Sequence, residues 1–390
     1  MTPSARVQAA IEILDDILDG SPAEKALTGW ARRSRFAGSK DRAAVRDHVF
    51  DALRCRRSFA ARGGSENGRG LMIGAIRSLG ADPNELFTGD RHAPDPLEES
   101  EVGRDFVTES ERFDIPEWLW PEFQRSLGDE AQAAATALQS RAPLHLRVNL
   151  QKVNRQQAAQ ELMREGISSE VHPACETALE VIEGARKVAQ SHAYLSGLVE
   201  LQDAASQAVV AALPLRPGMR IIDYCAGGGG KALAIAALSN SVKIFAHDAN
   251  PARMHDLPAR AQRAGAEIKI LSTEEVFAHP GFDIILIDAP CSGSGSWRRA
   301  PAGKWALTPD RLSKLVSAQM KILGSTAPLV SPGGLLAYVT CSIFSAENDS
   351  VVEGFLNNHP GWQSDWRKQW MVSKRTDGFF CAHLNKPLIP

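Results

Sequence analysis

The chain has no Cys-x-x-Cys pair: its six cysteines, Cys55, Cys175, Cys225, Cys291, Cys341 and Cys381, stand far apart among 390 residues. That spacing argues against a zinc site and against a secreted disulfide scaffold, so no metal is expected and each thiol is judged by itself. No apolar run approaches the roughly 18 residues of a membrane span. Neither end reads as a secretory or targeting signal, and Met1 to Gly20 reads as an amphipathic helix, so a cytoplasmic protein is expected. Net charge is also nearly absent, at -2. The mean hides a division: residues 30–70 carry eleven Lys/Arg against four Asp/Glu, and residues 82–117 carry three against twelve. The first segment suits a polyanion and the second repels one.

What is present is enough chain for two or three cores. Val7, Ile11, Leu14 and Leu18, then Val45, Val49 and Leu53, recur at helical spacing, so residues 1–80 read as a helical domain. Residues 81–114, acidic and containing proline, read as a linker. Residues 115–195 combine helical signals with the alternating run Leu144 to Asn149 and read as an α+β module. From 196 to 390 short apolar runs alternate with helical stretches: Arg220 to Tyr224, Lys243 to His247, Glu267 to Leu271, Phe282 to Asp288 and Leu335 to Thr340. That order predicts an α/β, Rossmann-like domain with a mostly parallel sheet covered on both faces. Ligands of such sheets lie beyond the carboxyl ends of the strands. Asp223, Asp248, Asp288 and Cys341 each follow a run directly, so they should converge on one crevice.

The first turn, Asp223-Tyr224-Cys225-Ala226-Gly227-Gly228-Gly229-Gly230-Lys231, joins a strand to a helix through glycines that let backbone approach a ligand. A nucleotide-like cofactor fits, although a Gly-rich turn also serves nicotinamide cofactors or a purely structural bend. The spacing is not that of a Walker loop. Asp248 stands where a carboxylate accepts hydrogen bonds from a ribose diol, or caps the helix that starts near Pro251. Arg253 is placed in the same cofactor set.

Two cysteines end two strands, in Asp288-Ala289-Pro290-Cys291-Ser292-Gly293-Ser294-Gly295 and in Tyr338-Val339-Thr340-Cys341-Ser342. On these motifs the chain closely resembles the NOL1/NOP2/Sun family of RNA cytosine-5 methyltransferases, in particular its bacterial ribosomal-RNA branch with a NusB-like N-terminal domain. Arg147-Val148-Asn149, Gln202-Asp203-Ala204-Ala205-Ser206, Lys304-Trp305, Glu347-Asn348 and Asp377-Gly378-Phe379-Phe380 extend the resemblance over nearly the whole chain. It implies S-adenosyl-L-methionine as cofactor, Cys341 as the thiolate that attacks the base, and Cys291 as the thiol that assists product release. It also implies an RNA substrate, ribosomal RNA first and transfer RNA as the alternative. Two departures stand out: Gly228 replaces the proline usual in the cofactor loop, and Ser272-Thr273 replaces an acidic residue near the adenine, with Glu274 as a substitute.

The chemistry suits these residue types. Carbon 5 of cytosine is a poor nucleophile until a thiolate adds at carbon 6, and cysteine is intrinsically nucleophilic once deprotonated. Asp288 is the candidate to hydrogen-bond nitrogen 3 of the base. The target base must be unstacked, since attack above its plane cannot occur inside a paired helix. Arg54, Arg56 and Arg57, with Arg299 and Lys304 after the catalytic loop, are the expected RNA contacts, against a plain solvated face. A monomer is expected. Two readings from other classes compete: a non-catalytic RNA-binding assembly factor that keeps the fold, and a dinucleotide oxidoreductase.

Overall fold

A computed structural model of the chain describes residues 1–388. They form two compact units, one of Met1–Arg141 with Trp297–Ala306, the other of Ala142–Ser296 with Leu307 onward.

Helices Pro3–Leu18, Ala23–Arg33, Ser39–Arg54, Arg56–Gly63 and Gly68–Ser78 open the first unit. Their apolar stripes, among them Val7, Leu14, Val45, Val49, Leu53 and Leu71, close over one core. The last two helices meet backbone to backbone: a Cβ on Gly74 would lie 1.9 Å from the Phe59 carbonyl oxygen, so only glycine allows the approach. The stretch expected as an acidic linker is laid along this unit. Arg69 binds Glu101 and the carbonyls of Asp95 and Pro96, Arg77 binds the carbonyls of Arg62 and Glu101, and Phe87 is buried. Glu101 thus serves as counter-charge to Arg69, and backbone carbonyls of the stretch take further arginine donors, which a count of apolar residues does not register.

Asp114, fully buried with a left-handed φ of 55°, accepts hydrogen bonds from the Arg57 and Ser58 amides at 2.9 and 2.8 Å. It thereby caps the helix Arg56–Gly63, which has no capping side chain of its own. The opposite terminus of the preceding helix is closed by the segment 297–306. Lys304 Nζ donates to the Arg54 carbonyl (2.9 Å), and Trp305 Nε1 to that of Leu53 (2.6 Å). These are two of the last-turn carbonyls that a helix leaves without an internal partner.

The second unit holds two sheets. Strands β1 (Leu144–Val148), β2 (Ser168–Val171), β3 (Ala178–Glu183) and β4 (Val199–Leu201) form an antiparallel sheet in the order β2-β3-β1-β4. Strands β5 (Arg220–Asp223), β6 (Lys243–Ala246), β7 (Ile268–Ile270), β8 (Phe282–Asp288), β9 (Val330–Thr340), β10 (Gln363–Trp370) and β11 (Phe379–Asn385) form the larger one, ordered β10-β11-β9-β8-β5-β6-β7. Its members β9 to β7 in that order are parallel, while β10 and β11 are antiparallel. The order reverses beside β5, which is where an open α/β sheet places its ligand crevice. The five parallel strands match the predicted runs. Among the described residues no helix is long and apolar enough to cross a membrane.

Candidate active site

The crevice is built from four strand ends of the second unit. Asp223 closes β5 and is buried; its Oδ2 accepts from the Ala232 amide at 3.0 Å, whereas Oδ1 has no hydrogen-bond partner. Burial pushes this carboxyl up to about 7, with Lys231 opposing and Asp288 adding to the rise. The turn that follows is shaped by left-handed glycines: Gly227 has φ 51° and Gly229 φ 75°, and a Cβ on Gly229 would meet Leu257 at 2.2 Å. Gly228 is exposed and its carbonyl is taken by Arg260, so the position of the missing proline is held from outside the turn. Ala226 packs against Leu233 and Leu257, and burial pushes the Cys225 thiol up to about 12, which makes it a poor nucleophile.

Asp248, two residues past β6, is buried and accepts from the Gly227 amide (2.9 Å), the Asn250 amide (2.9 Å) and Arg253 (3.0 Å). It is not the helix cap: Asn250 caps Pro251–Met254. Glu274, suggested beside an adenine, is exposed in the helix Thr273–Ala278 that Ser272 caps.

Helix Gly230–Leu238 carries Lys231, whose buried Nζ lies 2.6 Å from Asp288 Oδ2 at the end of β8. Burial alone would lower this ammonium, but Asp288, with Asp223, more than offsets it and raises it. Two motifs without an assigned role brace this helix: Arg147 donates to the Gly230 carbonyl (2.8 Å) and to Gln202, which donates to the same carbonyl. Asn149 donates to the carbonyls of Gly197 and Ala264.

Beyond β8 and β9 the two cysteine loops meet. Cys291 Sγ and Cys341 Sγ are 3.4 Å apart, and both residues are partly exposed. The hydrogen bond with Cys291 holds the Cys341 thiol below its ordinary range, against burial and the Asp288 charge, with Lys231 and Ser296 assisting. The same bond, together with burial, drives Cys291 well up. Underneath, the fully buried Glu347 carboxylate ties both loops: it accepts from the Ser292 amide (2.8 Å), from Gln319 (3.0 Å) and from the hydroxyls of Ser292 and Ser342. Asn348 binds Thr340 and the Ser342 carbonyl. Gly295 and Gly378 press together so closely that a Cβ on Gly295 would lie 2.2 Å from the Gly378 oxygen, which accounts for the glycine of the Asp377-Gly378 motif.

Residues 210–385 match the 16S rRNA methyltransferase RsmB/F family, and residues 115–189 match the ferredoxin-like domain of the same proteins. A probable ribosomal RNA small subunit methyltransferase B of Bacillus subtilis is 32% identical over 70% of this chain and 66% of its own length. The ribosomal RNA small subunit methyltransferase B of Cronobacter sakazakii is 30% identical over 82% of this chain and 73% of its own. The chain belongs to the RsmB/F methyltransferase family. It spans about two thirds to three quarters of the length of these two relatives. The crystal structure of PH0851 superposes with a TM-score of 0.79 at 25% identity and covers 99% of both chains.

The cofactor of this family is S-adenosylmethionine, and the residues present fit it: a buried carboxylate oxygen without a partner, a glycine turn opening a helix, and an aspartate past the second strand. Asp248→Ala is expected to weaken cofactor binding about tenfold or more, since a charge-assisted hydrogen bond contributes roughly 1.5–3 kcal/mol. It also leaves the Gly227 and Asn250 amides without an acceptor, so the melting temperature should fall too. Calorimetry giving unchanged affinity would remove Asp248 from the cofactor site.

Three of the five expected RNA contacts, Arg54, Arg57 and Lys304, are corrected. Arg54 is buried, donating to the Arg298 carbonyl (2.7 Å) and to Asp51 (2.6 Å), and Arg57 is engaged by Glu117, Ser110 and the Ile115 carbonyl. Lys304 is buried as described, and burial lowers its ammonium to about 8 with Asp114 and Cys55 opposing. Arg56 stacks over Trp305 with a long contact to Glu66; Arg299 is exposed. Arg54 and Lys304 are buried and Arg57 is paired with Glu117, so these three brace the first unit. Arg32, Arg35 and Arg42, all exposed, instead line one open groove, in which Arg46 is paired with Glu24.

Proposed function

We propose that the chain is an RNA cytosine-5 methyltransferase acting on small-subunit ribosomal RNA, with Cys341 as nucleophile. The observation that carries this reading is the approach of two strand-end thiols, 3.4 Å apart, beside a Lys231–Asp288 ion pair. A non-catalytic assembly factor has no use for such a pair, and the family match sets the dinucleotide oxidoreductase aside. The relatives' names supply the RNA class.

In this mechanism Cys341, favoured as thiolate, adds to carbon 6 of the cytosine and makes carbon 5 electron-rich. Asp288 faces nitrogen 3 and relays to it a proton from the Lys231 ammonium, which neutralises the negative charge that the addition places on the ring. S-adenosylmethionine, when bound at the glycine turn, supplies an electrophilic methyl on a sulfonium. Once the methyl is on carbon 5, a water molecule takes the carbon 5 proton, that electron pair re-forms the double bond to carbon 6, and Cys341 leaves as a thiolate that the Cys291 thiol hydrogen-bonds. Bisulfite sequencing of ribosomal RNA from cells with and without the gene tests the reading: one small-subunit cytosine should lose its protection, and an unchanged pattern would overturn it.

RNA capture is assigned to the groove of the first unit. Reversing Arg32, Arg35 and Arg42 to glutamate should weaken binding across RNA sequences and flatten its salt dependence by about 0.7 log units for each phosphate no longer neutralised. Reversing Arg54 and Arg57 should instead lower the melting temperature. A salt series of filter binding separates the two: an unchanged slope in the groove variant would leave RNA capture to the other unit.

A further inference from the structure

The sulfur–sulfur hydrogen bond favours the thiolate at the accepting sulfur and the thiol at the donating one, but either sulfur could take either part. The decision has to come from groups that lie nearer to one sulfur than to the other. We propose that Glu347 is the positioning residue that makes this choice: its buried carboxylate, held under the Pro-Cys loop, keeps Cys291 protonated and so leaves the negative charge to Cys341. This rests on the roles assigned to the two cysteines under the proposed function.

The geometry weights the carboxylate toward the Cys291 loop, since of the two serines that follow the cysteines Ser342 gives it a hydroxyl alone and Ser292 both a hydroxyl and an amide. Glu347 Oε1 accepts the amide of Ser292, the residue that follows Cys291, at 2.8 Å, and Oε2 accepts the Ser292 hydroxyl. Gln319 fixes the same assembly by donating both to Glu347 Oε1 and to the Pro290 carbonyl, on the other side of Cys291 (3.0 and 2.9 Å). At the other sulfur two opposite charges act together: Asp288 disfavours the Cys341 thiolate and its ion-pair partner Lys231 favours it. The charges at Cys341 are thus paired with each other, whereas the carboxylate that acts on Cys291 is not paired with a cation. Around Glu347 the partners are serine hydroxyls, a backbone amide and a glutamine amide, and among the described residues no cation hydrogen-bonds to it. Four neutral donors hold the charge without cancelling it, so its field persists in a water-poor site. A merely structural tie between the loops would not need that charge.

Glu347→Gln separates the two roles, since the amide keeps the shape, its oxygen can take the Ser292 and Gln319 donors, and its NH2 can donate to the two serine hydroxyls. The measurement is alkylation of each thiol by iodoacetamide against pH, read by mass spectrometry on the full chain without RNA or cofactor. In the wild type Cys341 should alkylate first; in Glu347→Gln the rate at Cys291 at neutral pH should rise about tenfold or more, the change in thiolate fraction for one unit of pKa. The same rise should appear when Glu347→Gln is made in a Cys341→Ser background, where the sulfur–sulfur hydrogen bond is gone. Ser342→Ala, which keeps the charge and removes one donor, should leave the order of the thiols as in the wild type. Unchanged Cys291 reactivity in folded Glu347→Gln overturns the proposal, and so does a wild-type chain in which Cys291 reacts first, an observation that needs no variant to fold. Failure of the cysteine roles themselves would appear separately, as methyl transfer surviving Cys341→Ala.

Discussion

Cys341→Ala should lose methyl transfer by on the order of 10^4-fold or more, as removal of a covalent nucleophile does, while the fold and cofactor binding persist. The residue sits past the end of β9, partly exposed, and its sulfur meets Cys291, so deleting one sulfur atom disturbs little packing. The check is incorporation of labelled methyl into RNA alongside a melting curve and cofactor titration. Full activity in a folded variant would sink the assignment. The pH dependence has a defined sign. Since Cys291 and Lys231 hold Cys341 below the ordinary thiol range, single-turnover rates should rise with pH and level off before an unperturbed cysteine would. Lys231→Gln should move that rise to higher pH, because the ammonium no longer favours the thiolate.

The second large effect is expected from Cys291→Ala. Cys341 remains to attack and the methyl can still be transferred, but the thiol that attends release is gone, so a covalent protein–RNA adduct should accumulate. Turnover should fall by about 10^2-fold or more, the scale of a missing proton-transfer group. The adduct should survive denaturing electrophoresis and shrink on RNase digestion to a short remnant. If the adduct accumulates with Cys341→Ala instead, the two roles are exchanged.

Much of the catalytic unit is legible in one dimension. β8 is predicted to the residue, Phe282 to Asp288, because the buried apolar run Ile284 to Ile287 of a central parallel strand is bracketed by Asp283 and Asp288. The hairpin of β10 and β11 has a weaker signal: Gln363 to Trp370 is polar, and it forms a strand because β11 offers it a pairing edge. Lys231 and Asp288 each stand out as residues after a strand or turn, but nothing in their spacing of 57 positions makes them an ion pair at 2.6 Å. Glu347-Asn348 is visible only as a motif; that its carboxylate knits both cysteine loops depends on Ser292, Gln319 and Ser342 folding around it.

The basic run between residues 30 and 70 marks the other limit. Its charge is a property of composition, yet Arg54 and Lys304 are 250 residues apart in sequence and become neighbours through the returning segment 297–306. A charge count assigns every arginine to solvent, whereas helix ends and buried caps consume some of them. The sequence alone determined the five parallel strands, the glycine turn and the two strand-end thiols, because these depend on local periodicity and on residue chemistry at fixed offsets. Tertiary structure alone decided which charges face each other, which thiol lies beside a cation, and which arginines are left for a ligand, because Coulomb and hydrogen-bond energies depend on distances that sequence separation does not encode.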